Sequence, residues 1–315
     1  MTIPLIDLTD SLAPDEPRRH VVAEQIRAAA ETCGFFYVSG HGISAELVRR
    51  QFAVAKQFFQ SPTDVKQAVS SRPDGAMRGY GTIGSQTLDA AAHDDIKESY
   101  QCGWECAADH PYVLKGYSSY GQNLWPEGVS DFRETCELYM ESVNDLSRTL
   151  LQLLALSLEL SEDYFQKLNV HPSDTLRLLW YPPHSAKADS RTFGAGKHTD
   201  WGAITILAQD ANGGLEIQMR DGSWVSADPV DGTFVVNLGD MIPRWTNGLY
   251  HSNFHRVINK SAGRRNRQSV VFFTDLDFEA FIEPIPGAQS ADRPPLLPPC
   301  TVGEHMVAMV QKTYG

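Results

Sequence analysis

The chain has 315 residues, 42% of them hydrophobic and 21% charged, and its formal net charge at pH 7 is −12. Such a composition is typical of a globular protein that buries a sizeable core, in one large domain or two smaller ones. The acidic balance argues against nucleic acid and against anionic membrane surfaces as general partners.

The sequence indicates neither a secretory signal nor a membrane span. Residues 1–5 contain no basic region followed by an apolar run, and no apolar stretch approaches the roughly 18 residues of a spanning helix. The five cysteines are scattered, and only Cys102 and Cys106 lie close together. We therefore expect reduced thiols and a cytoplasmic protein without a membrane partner.

The N-terminal part of the chain combines helices with short strands. Apolar side chains recur at helical spacing in several segments, and short apolar runs bounded by turn residues lie between them. His41 stands between two glycines after such a run, and we interpret it as a turn histidine rather than a metal ligand. The predicted elements are an edge strand at 4–8, helices at 17–32 and 44–60, a strand at 35–38, a short helix from Pro62 and a long helix at 130–160.

Residues 70–128 are the least regular part of the sequence. The segment Arg78-Gly79-Tyr80-Gly81 is rich in glycine but lacks the spacing of a phosphate-binding loop. Long irregular stretches within compact domains are often binding loops or lids. We therefore regard this segment as a candidate substrate-facing wall, with a passive packed loop as the alternative.

After about residue 170 the pattern changes to short apolar or β-branched runs separated by turn residues. Successive strands of this kind favour a sandwich, a jelly roll or a barrel. No flexible linker separates the halves, so we predict a mixed N-terminal region at 1–125 and a β core at 126–315 that form one interlocked unit. The predicted strands are 176–181, 203–208, 215–219, 224–225, 233–238, 253–258 and 269–274, and a last helix is predicted at 302–312.

His198, Asp200 and His255 are candidate metal ligands. Residues two apart on an extended strand share one face, so His198 and Asp200 can point at the same spot. His255 lies in a later predicted strand. Two neutral imidazoles and one carboxylate form the facial triad of non-haem Fe(II) oxygenases, which keeps open coordination positions.

Two other histidines compete for these roles. The segment His93-Asp94-Asp95 repeats the spacing, but alanines precede it and no strand pattern follows. His251 lies close to His255 in sequence. We prefer His255 because the residues after it continue into a strand, where backbone position is well fixed.

Arg267 and Ser269 are also two residues apart. They can reach one carboxylate together, the guanidinium by a charge-assisted contact and the hydroxyl by a hydrogen bond. Arg264 and Arg265 are nearby alternatives, but the Ser269 partner favours Arg267. The residues therefore predict an iron site beside an anchor for an acidic co-substrate.

Three aromatic residues are candidates for the wall of a substrate pocket. If Arg267 and Ser269 face inward, strand alternation turns Phe273 inward as well. Trp201 and Tyr80 are weaker candidates. Ordinary core packing is the alternative for all three.

Together these motifs resemble the isopenicillin N synthase-like family of Fe(II)/2-oxoglutarate-dependent oxygenases. The similar stretches extend over nearly the whole chain, and the three nearest the metal site are the most specific. They are Cys33-Gly34-Phe35-Phe36-Tyr37-Val38 with His41-Gly42-Ile43, Arg78-Gly79-Tyr80, Lys97-Glu98, Leu176-Arg177-Leu178-Leu179-Trp180-Tyr181-Pro182-Pro183, His198-Thr199-Asp200-Trp201, His255-Arg256-Val257 and Arg267-Gln268-Ser269.

The resemblance implies a double-stranded β-helix core flanked by helices. It implies a dioxygenase that uses Fe(II), 2-oxoglutarate and O2, oxidises a small molecule and releases succinate and CO2. The iron ligands would be His198, Asp200 and His255.

The resemblance also implies that Arg267 and Ser269 hold the distal carboxylate of 2-oxoglutarate and that Tyr181 hydrogen-bonds to this co-substrate. Plant members often have asparagine two residues before that tyrosine. Here the residue is Leu179, so we expect one co-substrate contact to be missing.

Two alternatives remain at this point. An oxidase of the same fold would use no 2-oxo acid, and Arg267 and Ser269 would grip the carboxylate of its substrate. A non-catalytic relative would bind a small acid without redox chemistry. The substrate, the choice among hydroxylation, desaturation and ring formation, and the oligomeric state are not determined by the sequence.

Overall fold

The computed structural model describes residues 2–12, 16–72, 76–89, 91–183, 192–258 and 265–314. Within these residues, five helices lie within a few residues of their predicted bounds, and two short ones were not predicted. The helices are α1 (Glu16–Thr32), α2 (Ala45–Phe59), α3 (Thr63–Gln67), α4 (Pro111–Leu114), α5 (Phe132–Ser157), α6 (Met241–Trp245) and α7 (Val302–Tyr314).

All nine predicted strands are present, and five further strands were not predicted. The strands are β1 (Leu5–Asp7), β2 (Phe35–Ser39), β3 (Gly79–Gly81), β4 (Glu98–Gly103), β5 (Thr175–Tyr181), β6 (Ala195–His198), β7 (Ile204–Gln209), β8 (Leu215–Gln218), β9 (Trp224–Ser226), β10 (Phe234–Leu238), β11 (His255–Val257), β12 (Arg267–Thr274), β13 (Phe281–Ile282) and β14 (Cys300–Thr301). The unpredicted ones are β3, β4, β6, β13 and β14.

Two sheets carry most of these strands. The large sheet has eight strands in the order β1-β2-β10-β7-β12-β5-β4-β3, and the small sheet has four in the order β6-β11-β8-β9. Every pairing in them is antiparallel except that of β1 with β2. This is the predicted double-stranded β-helix, or jelly roll, flanked by helices.

The two faces of the large sheet have different neighbours. Along β5, Leu176, Leu178 and Trp180 pack in one hydrophobic cluster with residues of α1, α2 and α5. Leu179 and Tyr181 point to the opposite face, where they pack with residues of the small sheet. The strand alternation therefore separates a helix-covered face from an inner face between the two sheets.

The N-terminal region is built into the same sheet as the C-terminal core. β1 lies at one edge, as predicted, and β3 lies at the other. The irregular segment at 70–128 thus contributes two strands, β3 and β4, besides its loops. The boundary at residue 125 stays a prediction.

The described residues contain no helix that is both long and apolar enough to cross a membrane. All five cysteines are free thiols, three of them buried. Gly34, which follows the end of α1 by two residues, has a φ of +64°, and a Cβ at this position would lie 2.0 Å from the carbonyl oxygen of His251. Only glycine fits that approach of the backbone to the segment that leads into β11.

Candidate metal centre

The fold brings His198, Asp200 and His255 together at the inner face. His198 is the last residue of β6, and His255, the first residue of β11, pairs directly opposite it. Asp200 lies in the connection between β6 and β7 and not on a strand. The prediction that His198 and Asp200 lie on one face of the same strand was therefore wrong, because β6 ends at His198. The chain turns before β7, and this turn brings Asp200 beside His198.

The ligand atoms of the three side chains converge. The Nε2 atoms of His198 and His255 lie 3.9 and 3.7 Å from Oδ1 of Asp200. One ligand atom from each residue lies within 4.8 Å of the other two. Such a cluster of two nitrogens and one oxygen matches the facial triad in composition and size.

Hydrogen bonds fix which imidazole nitrogen faces the cluster. Nδ1 of His198 lies 2.7 Å from the carbonyl oxygen of Gly196, and Nδ1 of His255 lies 3.4 Å from that of Asn253. A carbonyl oxygen can only accept, so each Nδ1 carries the proton and each Nε2 presents a lone pair. This second contact of each ring is the usual arrangement of metal-binding histidines.

The two oxygens of Asp200 have different surroundings. Oδ2 accepts hydrogen bonds from Thr205 Oγ1 and Asn237 Nδ2, each at 2.7 Å. Oδ1 is left facing the two imidazoles. The carboxylate is thus oriented by the protein with one oxygen available to a metal.

Burial sets the protonation of the cluster. Burial, together with the neighbouring His255, lowers the pKa of His198 to about 3, so this imidazole is neutral at physiological pH. Burial opposes ionisation of Asp200, but the two imidazoles and the bonds from Thr205 and Asn237 lower its pKa overall. A neutral imidazole and an ionised carboxylate are the forms that bind Fe(II).

Two adjoining cavities meet at this cluster. We call them the inner chamber, lined among others by Tyr181, Arg267 and Ser269, and the outer chamber, lined among others by Trp201 and Asp275. The side chains shared by the two are Leu88, Arg177, His198, Asp200 and Phe273.

The inner chamber contains the predicted co-substrate residues. Arg267 pairs opposite Tyr181 across β12 and β5, and its guanidinium lies 4.8 Å from the centre of the tyrosine ring. Nε of Arg267 donates to the carbonyl oxygen of Gly213 at 2.6 Å, and Nη1 contacts Ser269 Oγ at 3.3 Å. Nη2 is buried and has no acceptor among the described residues. A buried donor of this kind fits an incoming carboxylate.

The alternatives to these residues are placed elsewhere. Arg265 is exposed, whereas Arg267 is buried, and Arg264 lies outside the described residues. His41 is a turn histidine, as predicted, because it contacts the backbone of Gly232 and Ile43. In the described part of the chain, neither His93 nor His251 belongs to a group of three possible metal ligands.

Of the three aromatic candidates, the structure brings two to the cavities. Phe273 lines both chambers, and Trp201 lines the outer one. Tyr80 lines neither. It is buried in the helix-side hydrophobic cluster, and its hydroxyl donates to Glu98.

Sequence reasoning missed several residues around the site. Thr205 and Asn237 orient Asp200, while Lys97 and Arg177 line the inner chamber. Only Arg177 had a usable signal, since it is a lone charge within the apolar strand β5.

Two sequence-family models match the chain. The one described as non-haem dioxygenase in morphine synthesis N-terminal matches residues 3–128, and that of the 2OG-Fe(II) oxygenase superfamily matches residues 166–276.

Curated relatives match almost the whole chain. The 2-oxoglutarate-Fe(II) type oxidoreductase hxnY of Emericella nidulans is 36% identical, over 99% of this chain and 90% of the relative. The chain belongs to the 2OG-Fe(II) oxygenase family. Another relative, the 2-oxoglutarate-dependent dioxygenase citB of Monascus ruber, is 37% identical, over 99% of this oxygenase and 96% of the relative.

A solved structure agrees with this assignment. A Neurospora crassa protein, crystallised at full length in complex with alpha-KG and thymine, has a TM-score of 0.87 and 29% identity, over 98% of this oxygenase and 96% of that chain. The protein is accordingly an Fe(II)- and 2-oxoglutarate-dependent dioxygenase, with O2 as the other co-substrate.

Proposed function

We propose that His198, Asp200 and His255 bind the Fe(II) of this dioxygenase. The observation that supports this assignment is that each offers an unclaimed ligand atom, oriented by a hydrogen bond on its other side. One carboxylate and two neutral imidazoles leave Fe(II) with one net positive charge and three open positions.

We propose further that Arg267, Ser269 and Tyr181 hold 2-oxoglutarate in the inner chamber. The buried Nη2 of Arg267 has no acceptor in the described part of the chain. A carboxylate there would gain a charge-assisted hydrogen bond from a guanidinium that keeps its proton. Because Arg267 is only 1% exposed, water would compete weakly for this contact. The names of the relatives favour this co-substrate over the oxidase alternative.

The chemistry divides between the metal and the protein. Bound Fe(II) would supply the oxidation of a substrate C–H bond, coupled to the decarboxylation of 2-oxoglutarate to succinate and CO2. The protein binds Nδ1 of each histidine to a backbone carbonyl, so that Nε2 faces the metal position, and it keeps Asp200 ionised. Phe273 and Trp201 would form the wall that positions the substrate and excludes water.

The primary substrate is proposed to be a small molecule in the outer chamber. The Neurospora crassa structure contains thymine, which is of this class. The net charge of −12 supports the absence of a nucleic-acid partner. Five free thiols support a cytoplasmic location. We also propose that the chain divides into a mixed region at 1–125 and a β core at 126–315.

Anaerobic titration tests the iron and co-substrate assignments. Fe(II) and then 2-oxoglutarate are added to the apo-protein while visible absorption is followed. A weak charge-transfer band that needs both additions is the expected result for a 2-oxo acid chelated to iron. Fe(II) binding without a band on addition of 2-oxoglutarate would contradict the co-substrate assignment.

Variants assign the residues. His198→Ala and Asp200→Ala should abolish Fe(II) binding while the circular dichroism spectrum stays unchanged. Arg267→Ala should keep Fe(II) binding and chiefly raise the apparent KM and Kd for 2-oxoglutarate. Unchanged Fe(II) affinity in the first two variants, or an unchanged Kd for 2-oxoglutarate in the third, would overturn the corresponding assignment.

A further inference from the structure

Arg177 extends into the space where the two chambers meet. It lies on the same face of β5 as Leu179 and Tyr181, and it is paired with Val271 of β12 on one side and Gln101 of β4 on the other. Its side chain lines both the inner and the outer chamber. A cation is therefore placed beside the proposed iron ligands, on a rigid central strand.

The guanidinium of Arg177 has a spare donor. Nη2 donates to the neutral amide oxygen of Gln86 at 2.9 Å, whereas Nε is buried and finds no acceptor among the described residues. Within the same residues, no carboxylate forms an ion pair with this guanidinium. Arginine keeps its proton, and Nε is shielded from water although Arg177 as a whole is only partly buried, so this N–H group has lost its hydrogen bond to water without a replacement in the protein. The rest of the guanidinium is partly exposed towards the two chambers and is open to an anionic ligand.

Arg267 provides an internal comparison. In the described part of the chain it also has a buried nitrogen without an acceptor, and it lies four residues further along the paired strands, opposite Tyr181. Four strand residues span about 13 Å. The anion proposed for Arg267 is the distal carboxylate of 2-oxoglutarate, so Arg177 remains for a second anion near the metal.

The other charges around the outer chamber do not neutralise Arg177. Lys97, which lines the adjoining inner chamber, is a cation, and its partner at 2.6 Å is Asp95. Arg78 adds a further cation, which is buried and whose guanidinium donates to Ser119 and Thr175. Asp275 is the one acid in the described lining besides Asp200, and burial raises its pKa to about 8. The chamber therefore favours an anionic ligand.

Besides its charged and polar residues, the outer chamber is lined by apolar side chains. These apolar side chains are Met77, Leu88, Trp201, Phe273 and Met306. Pockets of this kind bind an apolar body and use a few polar groups to orient it.

We propose that the primary substrate of this oxygenase is an apolar organic acid whose carboxylate is held by Arg177. The proposal rests on the proposed function, since it places the substrate beside the iron and 2-oxoglutarate. Gln86 would position the guanidinium, and the carboxylate would accept hydrogen bonds from the part of the guanidinium that faces the chambers. If Arg177 holds the carboxylate, the distance from Arg177 to the iron determines how far from the acid group the oxidised C–H bond lies.

The test compares acids with their neutral amides. The anaerobic Fe(II)/2-oxoglutarate complex is titrated with aryl and alkyl monocarboxylates, among them phenylacetate, 3-phenylpropanoate, hexanoate and decanoate, and with the primary amide of each. Calorimetry and the shift of the charge-transfer band report binding. We expect acids to bind about tenfold or more tightly than their amides, as for a hydrogen-bonded charge pair. Equal binding of acids and amides, or no binding of any acid, would overturn the proposal.

Variants locate the contact. Arg177→Gln should remove the preference for acids and change the Kd for 2-oxoglutarate by less than about twofold. Arg177→Lys keeps the charge and should keep part of the preference, which excludes misfolding as the cause. Arg133→Gln, a control on the exposed face of α5, should match the wild type. Two results for Arg177→Gln would contradict the assignment. One is an unchanged preference for acids, and the other is a loss of 2-oxoglutarate binding without a loss of this preference. The wild-type charge-transfer band reports on the proposed function separately.

Discussion

At the scale of single residues, Asp200 shows how the protein prepares a metal ligand. Thr205 and Asn237 occupy Oδ2 and leave Oδ1 towards the histidines. Loss of such supporting bonds typically weakens metal affinity about 10- to 100-fold. We therefore expect Asn237→Ala to reduce the Fe(II) affinity by about this factor, measured by anaerobic titration. Asn144→Ala, on α5, is the control and should keep the wild-type Fe(II) affinity. An affinity equal to the wild type in Asn237→Ala would show that the carboxylate needs no such support.

The same residues show what a sequence can and cannot predict at this scale. His198, Asp200 and His255 could be found because their side chains are themselves metal ligands at recognisable spacing. Thr205 and Asn237 could not, because they meet Asp200 only through the register of β7 and β10, in which they are directly opposite each other. Register depends on pairing between distant segments and leaves no local signal.

At the scale of elements, a buried ion pair is hydrogen-bonded to the strand that carries His198 and stabilises its position. Asp95 accepts from the backbone nitrogen of Gly196 at 2.8 Å and from Lys97 at 2.6 Å. Removal of one partner from a buried pair costs about 3–5 kcal/mol, because the other charge is left alone. We expect Asp95→Ala to lower the free energy of unfolding by about this amount in urea titrations and to weaken Fe(II) binding.

A double variant separates the two effects. Asp95→Ala with Lys97→Met leaves no lone charge, so much of the stability should return. Fe(II) binding should stay weak, since Gly196 still lacks its acceptor beside His198. Recovery of both properties would mean that Asp95 acts only through its charge. Glu137→Ala breaks an exposed pair with Arg133 on α5 and should cost at most about 1 kcal/mol.

The elements differ in how far the sequence predicts them. β5, β7, β10 and β12 are rich in apolar or β-branched residues, and their positions followed from that pattern. β6 has the sequence Ala-Gly-Lys-His, which contains no β-branched residue and only one small apolar residue, Ala195. It is a strand because β11 pairs with it. β3 and β4 were missed for the same reason, since pairing at the sheet edge stabilises segments with weak intrinsic preference.

At the scale of the whole molecule, one sheet joins both halves of the chain around the site. β4 pairs with β5, so residues of the irregular N-terminal segment, such as Gln86 and Gln101, come to line the outer chamber beside Arg177. Helices cover the other face of this sheet. The jelly roll was predictable from the strand succession and the resemblance. The contribution of the N-terminal strands to the large sheet was not predictable, because these strands pair with strands from which they are separated by more than one element of the sequence.

The buried acids beneath the outer chamber make the stability of the whole protein depend on pH. Burial, with the neighbouring Asp174 and Asp200, raises the pKa of Asp275 to about 8, although Arg78 opposes the shift. In the unfolded chain an aspartate titrates near pH 3.9. Between about pH 4 and 8 the folded state thus binds a proton that the unfolded state has lost. The contribution of Asp275 to stability is present below this range and is lost as the pH rises to about 8.

The variant Asp275→Asn removes this proton linkage while it keeps the size of the side chain. Its free energy of unfolding relative to the wild type should increase from pH 5 to pH 8, by up to about 1.4 kcal/mol per pH unit, and then level off. Urea titrations of both metal-free proteins at each pH provide the difference, in which titrating groups far from Asp275 cancel. Asp145→Asn, an exposed acid on α5, should show no such trend. A difference that stays constant or shrinks as the pH rises would mean that Asp275 is ionised in the folded protein, stabilised by Arg78.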